Sequence, residues 1–328
     1  MTNILRTSIT GIFVACAAVV LVPFTANGQA NEILSTDFEK GTQKWEARGA
    51  GAVSIRSTDK EAAGGKRSLL VRGRKEFWQG AQLNLTNLLK AGITYRFKVK
   101  AKLESGSVPA VLKMTLQKGD QAFYSLSAAP ASDKEWVTLS GSYRPDGKDP
   151  YLLVYVESED PRVSYFLDDF SIEAVEIDEN QKGLILKSDF QDGTQQNWLV
   201  FGDGLQVFSG QIGDNVVLKV DGRKSSADGL ALDITPYLFP GKTYRMSVST
   251  FLGGGPTNDT VKIVVRRTAS DGKVSYKDVA GSDSVSGTSW TKISGEYEVP
   301  GDGSYLVIVQ AKGDKTAYFV DDFELEAL

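Results

Sequence analysis

The sequence predicts an all-β protein: two tandem antiparallel β-sandwich (jelly-roll) modules behind a signal peptide. Three observations carry this. Short motifs recur in the same order at nearly constant spacing along the 328 residues. Apolar and polar residues alternate along short runs separated by Gly, Asp, Asn and Ser clusters, as in half-buried strands. No useful length of chain has the longer period of an amphipathic helix.

Internal repetition is the strongest of the three. Asp37-Phe38-Glu39-Lys40-Gly41-Thr42-Gln43 returns as Asp189-Phe190-Gln191-Asp192-Gly193-Thr194-Gln195. Gly73-Arg74-Lys75 returns as Gly222-Arg223-Lys224, and Thr94-Tyr95-Arg96 as Thr243-Tyr244-Arg245. Trp136 with Ser140-Gly141-Ser142-Tyr143 returns as Trp290 with Ser294-Gly295-Glu296-Tyr297. Phe166-Leu167-Asp168-Asp169-Phe170 returns as Phe319-Val320-Asp321-Asp322-Phe323. The reading is a signal peptide over 1–30, module one over 31–176, a polar linker over 177–184 and module two over 185–328.

The signal assignment rests on Arg6, the apolar run 9–22 and the small residues ending at Gly28-Gln29-Ala30. The run is short for a bilayer span, so a secreted, periplasmic or cell-surface protein without a membrane anchor is expected. Cys16 lies inside this segment, and no other Cys and no His occur. A mature chain starting after residue 30 therefore has no disulfide, and catalysis or metal ligation through imidazole is excluded. The net charge of −4 argues against a nucleic-acid partner. It divides unevenly: 21 basic and 20 acidic residues over 31–176 (net +1), 15 and 21 over 177–328 (net −6).

Within module one, Tyr95 to Leu103 alternates apolar and basic residues without a fault, which predicts a strand with one face inward. Further strands are predicted at 69–72, 111–117, 137–143, 152–157 and 165–172. In the run 152–157, Leu152, Val154 and Val156 would face the core and Leu153, Tyr155 and Glu157 the other side. That places a ring beside a carboxylate on a sheet surface. Trp78 stands in a polar, Gly-flanked segment, Tyr124 follows a turn at Gly119-Asp120, and Arg48 precedes Gly49-Ala50-Gly51. Rings with planar hydrogen-bonding neighbours suit a sugar, whose C–H faces pack on aromatic planes and whose hydroxyls take an Arg fork and a carboxylate. Each residue taken singly also reads as an edge aromatic or a surface ion pair.

The ordered set Asp-Phe-Glu-x-Gly-Thr-x-x-Trp-x-x-Arg-Gly, Gly-Arg-x-x-x-Trp-x-Gly, Trp-x-x-Leu-Ser-Gly-x-Tyr, Tyr-x-Glu and Asp-Asp-Phe resembles bacterial carbohydrate-binding modules. The resemblance is to the xylan-binding family 22 and, more broadly, to families 4 and 9. It covers nearly all of module one and, more loosely, module two. It implies a β-jelly-roll that binds a single polysaccharide chain, xylan or another β-glycan such as mixed-linkage glucan, in a cleft beside a glycoside hydrolase. The cleft residues it implies are Arg48, Trp78, Tyr124, Tyr155 and Glu157. It also implies a structural calcium held by Glu39 with Asp168 or Asp169, with backbone carbonyls around residues 66–68 completing the shell.

Module two departs from this pattern. Arg48 aligns with Phe201, Trp78 with Ala227, Tyr155 with Ile308, Glu157 with Gln310 and Tyr124 with Tyr276. A spacer role or a different ligand is therefore expected there, and Leu306, Ile308 and Phe201 could form an apolar patch for another protein. A sandwich-fold glycoside hydrolase is the catalytic alternative. It would need a carboxylate on each side of the bond, and the sequence offers only Glu157, Glu159 and Asp160, close together.

Overall fold

The structure, a computed structural model, describes residues 31–328 except 50, 121, 146, 148–150, 176, 203–204 and 270. The signal peptide expected over 1–30 lies outside the described residues. Among those described, no helix is long and apolar enough to cross a membrane.

Each module is a pair of facing antiparallel sheets, and the two modules have the same strand order. In module one the first sheet runs β3 (Ser54–Thr58), β4 (Ser68–Arg72), β11 (Tyr165–Val175), β6 (Thr94–Leu103), β9 (Val137–Tyr143), with β1 (Asn31–Thr36) also on β11. The second runs β2 (Glu46–Arg48), β5 (Gly80–Asn84), β10 (Leu152–Ser158), β7 (Ala110–Lys118), β8 (Ala122–Ala131). Module two repeats the first sheet as β14 (Gln206–Ile212), β15 (Asn215–Asp221), β22 (Ala317–Ala327), β17 (Thr243–Gly254), β20 (Thr291–Glu298), with β12 (Gly183–Ser188) on β22. It repeats the second as β13 (Leu199–Phe201), β16 (Gly229–Asp233), β21 (Gly303–Ala311), β18 (Asn258–Ala269), β19 (Val274–Ser286). The alternation along β6 is realised: Tyr95, Phe97, Val99, Ala101 and Leu103 are buried, and Arg96, Lys98, Lys100 and Lys102 lie on the wetter side. The linker is shorter than expected, because β12 already pairs with β22 from Gly183.

The recurring motifs turn out to build the scaffold. At Asp168-Asp169-Phe170 the register of β11 against β6 shifts, Asp169 takes φ +46°, and Phe170 is delivered to the core. Its ring meets Trp45 edge-on, with centroids 5.1 Å apart and planes at 87°. Phe323 and Trp198 repeat that contact in module two at 5.1 Å and 82°. The repeated Gly-Arg pair is a second scaffold device. The buried Arg74 guanidinium donates to the carbonyls of Phe77, Gln79, Ser158, Asp160 and Val163, tying the loop before β5 to the loop after β10. Arg223 does the same in module two, with Asp228, Ala311 and Gly313 among its acceptors.

The modules touch. Arg144, just after β9, donates to the carbonyls of Pro236 and Leu238 and, through Nε, to Thr94 Oγ1 at 3.1 Å, and lies 4.8 Å from the Phe239 ring centroid. Thr94 Oγ1 itself donates to Pro236 O at 3.0 Å. Strand β8 was not among the sequence expectations. It extends module one's second sheet towards this junction and changes the placement of Tyr124.

Candidate functional site

The outward face of module one's second sheet carries the candidate cleft. Tyr155 on β10 lies opposite Gln82 on β5 and Thr115 on β7, and Thr115 lies opposite Ser125 on β8. Directly opposed residues share a face, so these four form one row across the sheet. Leu153, Gln117 and Phe123 form the next row, and Glu157 and Lys113 open the row on the other side. Leu152, Val154 and Val156 point into the core, as their alternation requires.

Arg48 closes β2, the edge strand beside β5, opposite Gly80. Its guanidinium carbon lies 3.9 Å from the Tyr155 ring centroid and 5.9 Å from that of Trp78, and Nη1 donates to Gln82 Oε1 at 3.2 Å. Two glycines let these chains approach. A Cβ on Gly80 would lie 1.9 Å from Val156 O, and one on Gly49 (φ +109°) would lie 2.7 Å from the Gln79 side chain. Gln79 in turn accepts the amides of Lys75 and Glu76, so the loop holding Trp78 is fixed from inside by Arg74 and Gln79. Trp78 remains 38% exposed at the rim.

Four of the five expected residues, Arg48, Trp78, Tyr155 and Glu157, thus lie together on one side of the fold. Two corrections follow. Tyr155 is only 3% exposed, because Arg48 covers its ring; the phenol is the floor under the guanidinium and not a free platform. Tyr124 lies opposite Leu116, which is in the core, and packs against that core with its ring 6.0 Å from Tyr143. The aromatic that β8 presents on the cleft face is its neighbour Phe123, 54% exposed. Alternation counted along β8 would have found it, had the strand been recognised.

Burial sets the electrostatics. It pushes the Tyr155 hydroxyl up to about 12, with the nearby Glu157 charge adding to the effect and Arg48 opposing it. Burial also raises the Glu157 carboxyl, while the hydrogen bond from Thr115 Oγ1 (2.7 Å) and the charges of Lys113 and Arg48 pull it back. Three buried polar atoms on this face have no hydrogen-bond partner among the described residues: Arg48 Nε, Gln117 Oε1 and Ser125 Oγ. Buried groups of this kind are normally paired, and on this face either a water or a ligand hydroxyl could supply the partner.

The expected calcium ligands fit an ion poorly. Glu39 Oε1 accepts the amides of Lys66 and Arg67, and Asp168 Oδ2 accepts those of Ala63 and Gly64 at 2.7 and 3.1 Å. Asp169 pairs with Lys100 at 2.9 Å. The loop turns N–H donors towards these carboxylates where a calcium shell needs oxygens. No group of three or more acidic residues suited to a metal occurs among the described residues.

Module two rebuilds the same face from other residues. Phe201 stands opposite Gly229, Ile308 opposite Ala231 and Val264. Ala231, Val264 and Ile308 form a small buried apolar cluster, with Phe201 and Leu306 packed on it. Gln310 donates to Ala227 O, at the position where module one has Trp78. The apolar patch expected at Leu306, Ile308 and Phe201 is therefore largely closed on itself.

Residues 30–162 and 182–316 each match the family described as carbohydrate binding domain, CBM_4_9. The chain belongs to this family, twice over. Both copies match a binding-domain family and not a catalytic one, and the sandwich-fold hydrolase alternative is set aside. The chain is 30% identical over 90% of its length to endo-1,4-beta-xylanase C of Paenibacillus barcinonensis, and 25% identical over 92% to endo-1,4-beta-xylanase A of Thermoanaerobacterium saccharolyticum. It spans 30% and 27% of those relatives. Among solved structures it is similar to the N-terminal CBM22 tandem domain of the P. barcinonensis xylanase Xyn10C (28% identity, 91% of this chain and 97% of that one, TM-score 0.43). It is also similar to the first CBM22 domain of that enzyme alone (36% identity, 45% of this chain and 97% of that one, TM-score 0.43).

Proposed function

We propose that module one binds a single chain of xylan or a related β-glycan across the outward face of its second sheet, and that this binding is the carbohydrate recognition of the whole chain. One observation carries the reading: an exposed indole, Trp78, stands over a face where Arg48, Gln117 and Ser125 each keep a buried polar atom unpaired. A sugar supplies both complements, a C–H face for the ring and hydroxyls for the polar atoms. Arg48 and Glu157 would grip hydroxyls as donor fork and acceptor. Tyr155 would hold the Arg48 plane flat, and Phe123 would extend the apolar track. Module two, with Ala227 and a self-packed apolar face, would act as a spacer that also contributes to the junction.

Two further parts of the reading lean on similarity. The relatives named above are xylanases of which this chain matches about a third, so module one would hold a glycan for a glycoside hydrolase, in the same polypeptide or a separate one. The N-terminal export signal would place that work outside the cytoplasm or on the cell surface. A glycan array followed by calorimetric titration of the mature chain with soluble xylan, with and without Trp78→Ala, tests the core of the proposal. Binding of β-glycan that Trp78→Ala weakens by about thirtyfold or more is expected; binding that the substitution leaves unchanged would move the site elsewhere.

A further inference from the structure

Where β8 reaches module two, the two modules enclose a pocket of about 260 Å³. Phe123, Tyr124 and Ser125 line it from module one together with Tyr143, and of these Phe123 and Ser125 belong to the outward face that carries the candidate cleft. Ser125 ends the row that starts at Glu46 and passes through Gln82, Tyr155 and Thr115, two strands from Tyr155, or roughly 10 Å at about 4.8 Å per strand. The opposite wall comes from module two: Asn197, Phe201, Arg266 and Leu306. The cleft face of module one therefore runs without interruption into a cavity roofed by its neighbour.

Both walls hold polar atoms in want of a partner. Ser125 Oγ and Asn197 Oδ1 are buried with no hydrogen bond among the described residues. Arg266 forms no ion pair among the described residues, although it stands beside apolar Leu306 and across from Tyr276. Phe123 offers an exposed ring at the entrance, and Phe201 supplies an apolar wall opposite. A mix of ring faces, one fork donor, the Asp233 carboxyl and two small unpaired groups is again the chemistry of a sugar residue. The volume lies below the about 300–1,000 Å³ of sites for drug-sized ligands, which suits a single ring and not an oligosaccharide.

We propose that this inter-module pocket is a second subsite, taking one sugar residue of a β-glycan chain that leaves the Trp78 end of the cleft and crosses the sheet towards Ser125. The inference rests on the cleft reading above and gives module two a role in which Phe201, Leu306 and Arg266 of its own altered face form one wall of the pocket. Short oligosaccharides fill only the cleft; longer ones reach the pocket and gain its contacts.

The test is calorimetry on the mature two-module chain with xylotriose and xylohexaose. Ser304→Trp fills the pocket from its lining, and Arg266→Ala removes its donor without adding bulk; thermal melting of each checks folding. Expected is a loss of about tenfold in xylohexaose affinity for both variants, with xylotriose affinity unchanged. If Trp78→Ala weakens binding of both sugars while neither pocket variant changes xylohexaose affinity, the subsite is refuted and the cleft stands. If Trp78→Ala leaves both affinities intact, the cleft reading itself falls and the subsite with it.

Discussion

The Arg48 guanidinium rests 3.9 Å from the centre of the Tyr155 ring, and in module two Phe201 and Ile308 hold the corresponding strand positions. One backbone frame thus carries a cationic lid over a phenol in the first copy and an apolar pair in the second. A guanidinium on a ring face keeps its plane fixed while its edge N–H groups stay free to donate. Tyr155 therefore acts through Arg48. Tyr155→Phe should fold normally and keep most of the binding, because the ring remains. Tyr155→Ala should lose glycan affinity and destabilise module one by about 3 kcal/mol, the scale of removing a buried aromatic. Chemical denaturation alongside titration with soluble xylan separates the two effects; equal binding by Tyr155→Ala would show that the lid does not depend on its floor.

Trp78 presents the opposite balance. It is exposed at the rim on a loop tied down by Arg74, so its removal leaves little packing to lose. Trp78→Ala should leave the melting temperature nearly unchanged and weaken glycan binding by roughly 2 kcal/mol or more, the scale of an aromatic hot spot. A drop in stability comparable to that of Tyr155→Ala would instead make the indole part of the scaffold.

How much of this was readable beforehand depends on what each residue answers to. The twofold repeat and the sandwich class are written in local spacing: β9 begins and ends where alternation places it, at Val137 and Tyr143. Spacing along β10 also pairs Tyr155 with Glu157, whereas their grouping with Arg48 and Trp78 came from the family resemblance. Strand β8 escaped because its run of Ser and Ala has weak strand propensity, and pairing with β7 across a bulge decides its state. Tyr124 came from its place after a turn and from the family resemblance, and without β8 no face could be assigned to it; a one-residue difference in a strand is a change of face. The Arg48 lid was equally hidden, since 34 residues separate Arg48 from its partner Gln82 and only the sheet brings them together. The calcium set at Glu39 and Asp168 or Asp169 was implied by the family resemblance alone; the direction of the amides that face Glu39 and Asp168 is a property of the loop's conformation.

Glu157 gives a pH signature. Burial raises its folded pKa above the unfolded value, so the folded protein binds more protons than the unfolded chain in the window between the two. The contribution of this group to stability is present below the unfolded pKa, near 4.5, and is lost as pH rises through the folded value. Glu157→Gln removes the titration. Its melting temperature relative to wild type should therefore climb as pH is raised from about 4 through the carboxylate range. Melting curves across that range decide the matter, and a difference that is flat in pH would mean the carboxylate is solvated in the folded state. The same substitution should weaken glycan binding at neutral pH, since an amide offers one acceptor oxygen where the carboxylate offers two.

The junction between the modules concentrates on Arg144. Its guanidinium bridges to two carbonyls of the segment after β16 and lies over Phe239, and burial lowers its pKa without making it neutral at physiological pH. No carboxylate partner balances it among the described residues; the charge is held by carbonyl dipoles and Thr94. Arg144→Ala leaves Pro236 O and Leu238 O short of a charged donor, and hydrogen bonds to charged groups are worth about 1.5–3 kcal/mol each. The expected result is loss of coupling between two intact sandwiches. Calorimetric unfolding should pass from a coupled transition towards two independent ones, and small-angle scattering should show a broader spread of inter-module distances. Because the proposed subsite needs both walls, xylohexaose affinity should fall towards that of xylotriose in this variant, while xylotriose binding, which uses module one alone, stays at the wild-type value. Unchanged scattering and unchanged xylohexaose affinity together would mean that other contacts, such as Tyr237 with Ser142, hold the modules in place without Arg144.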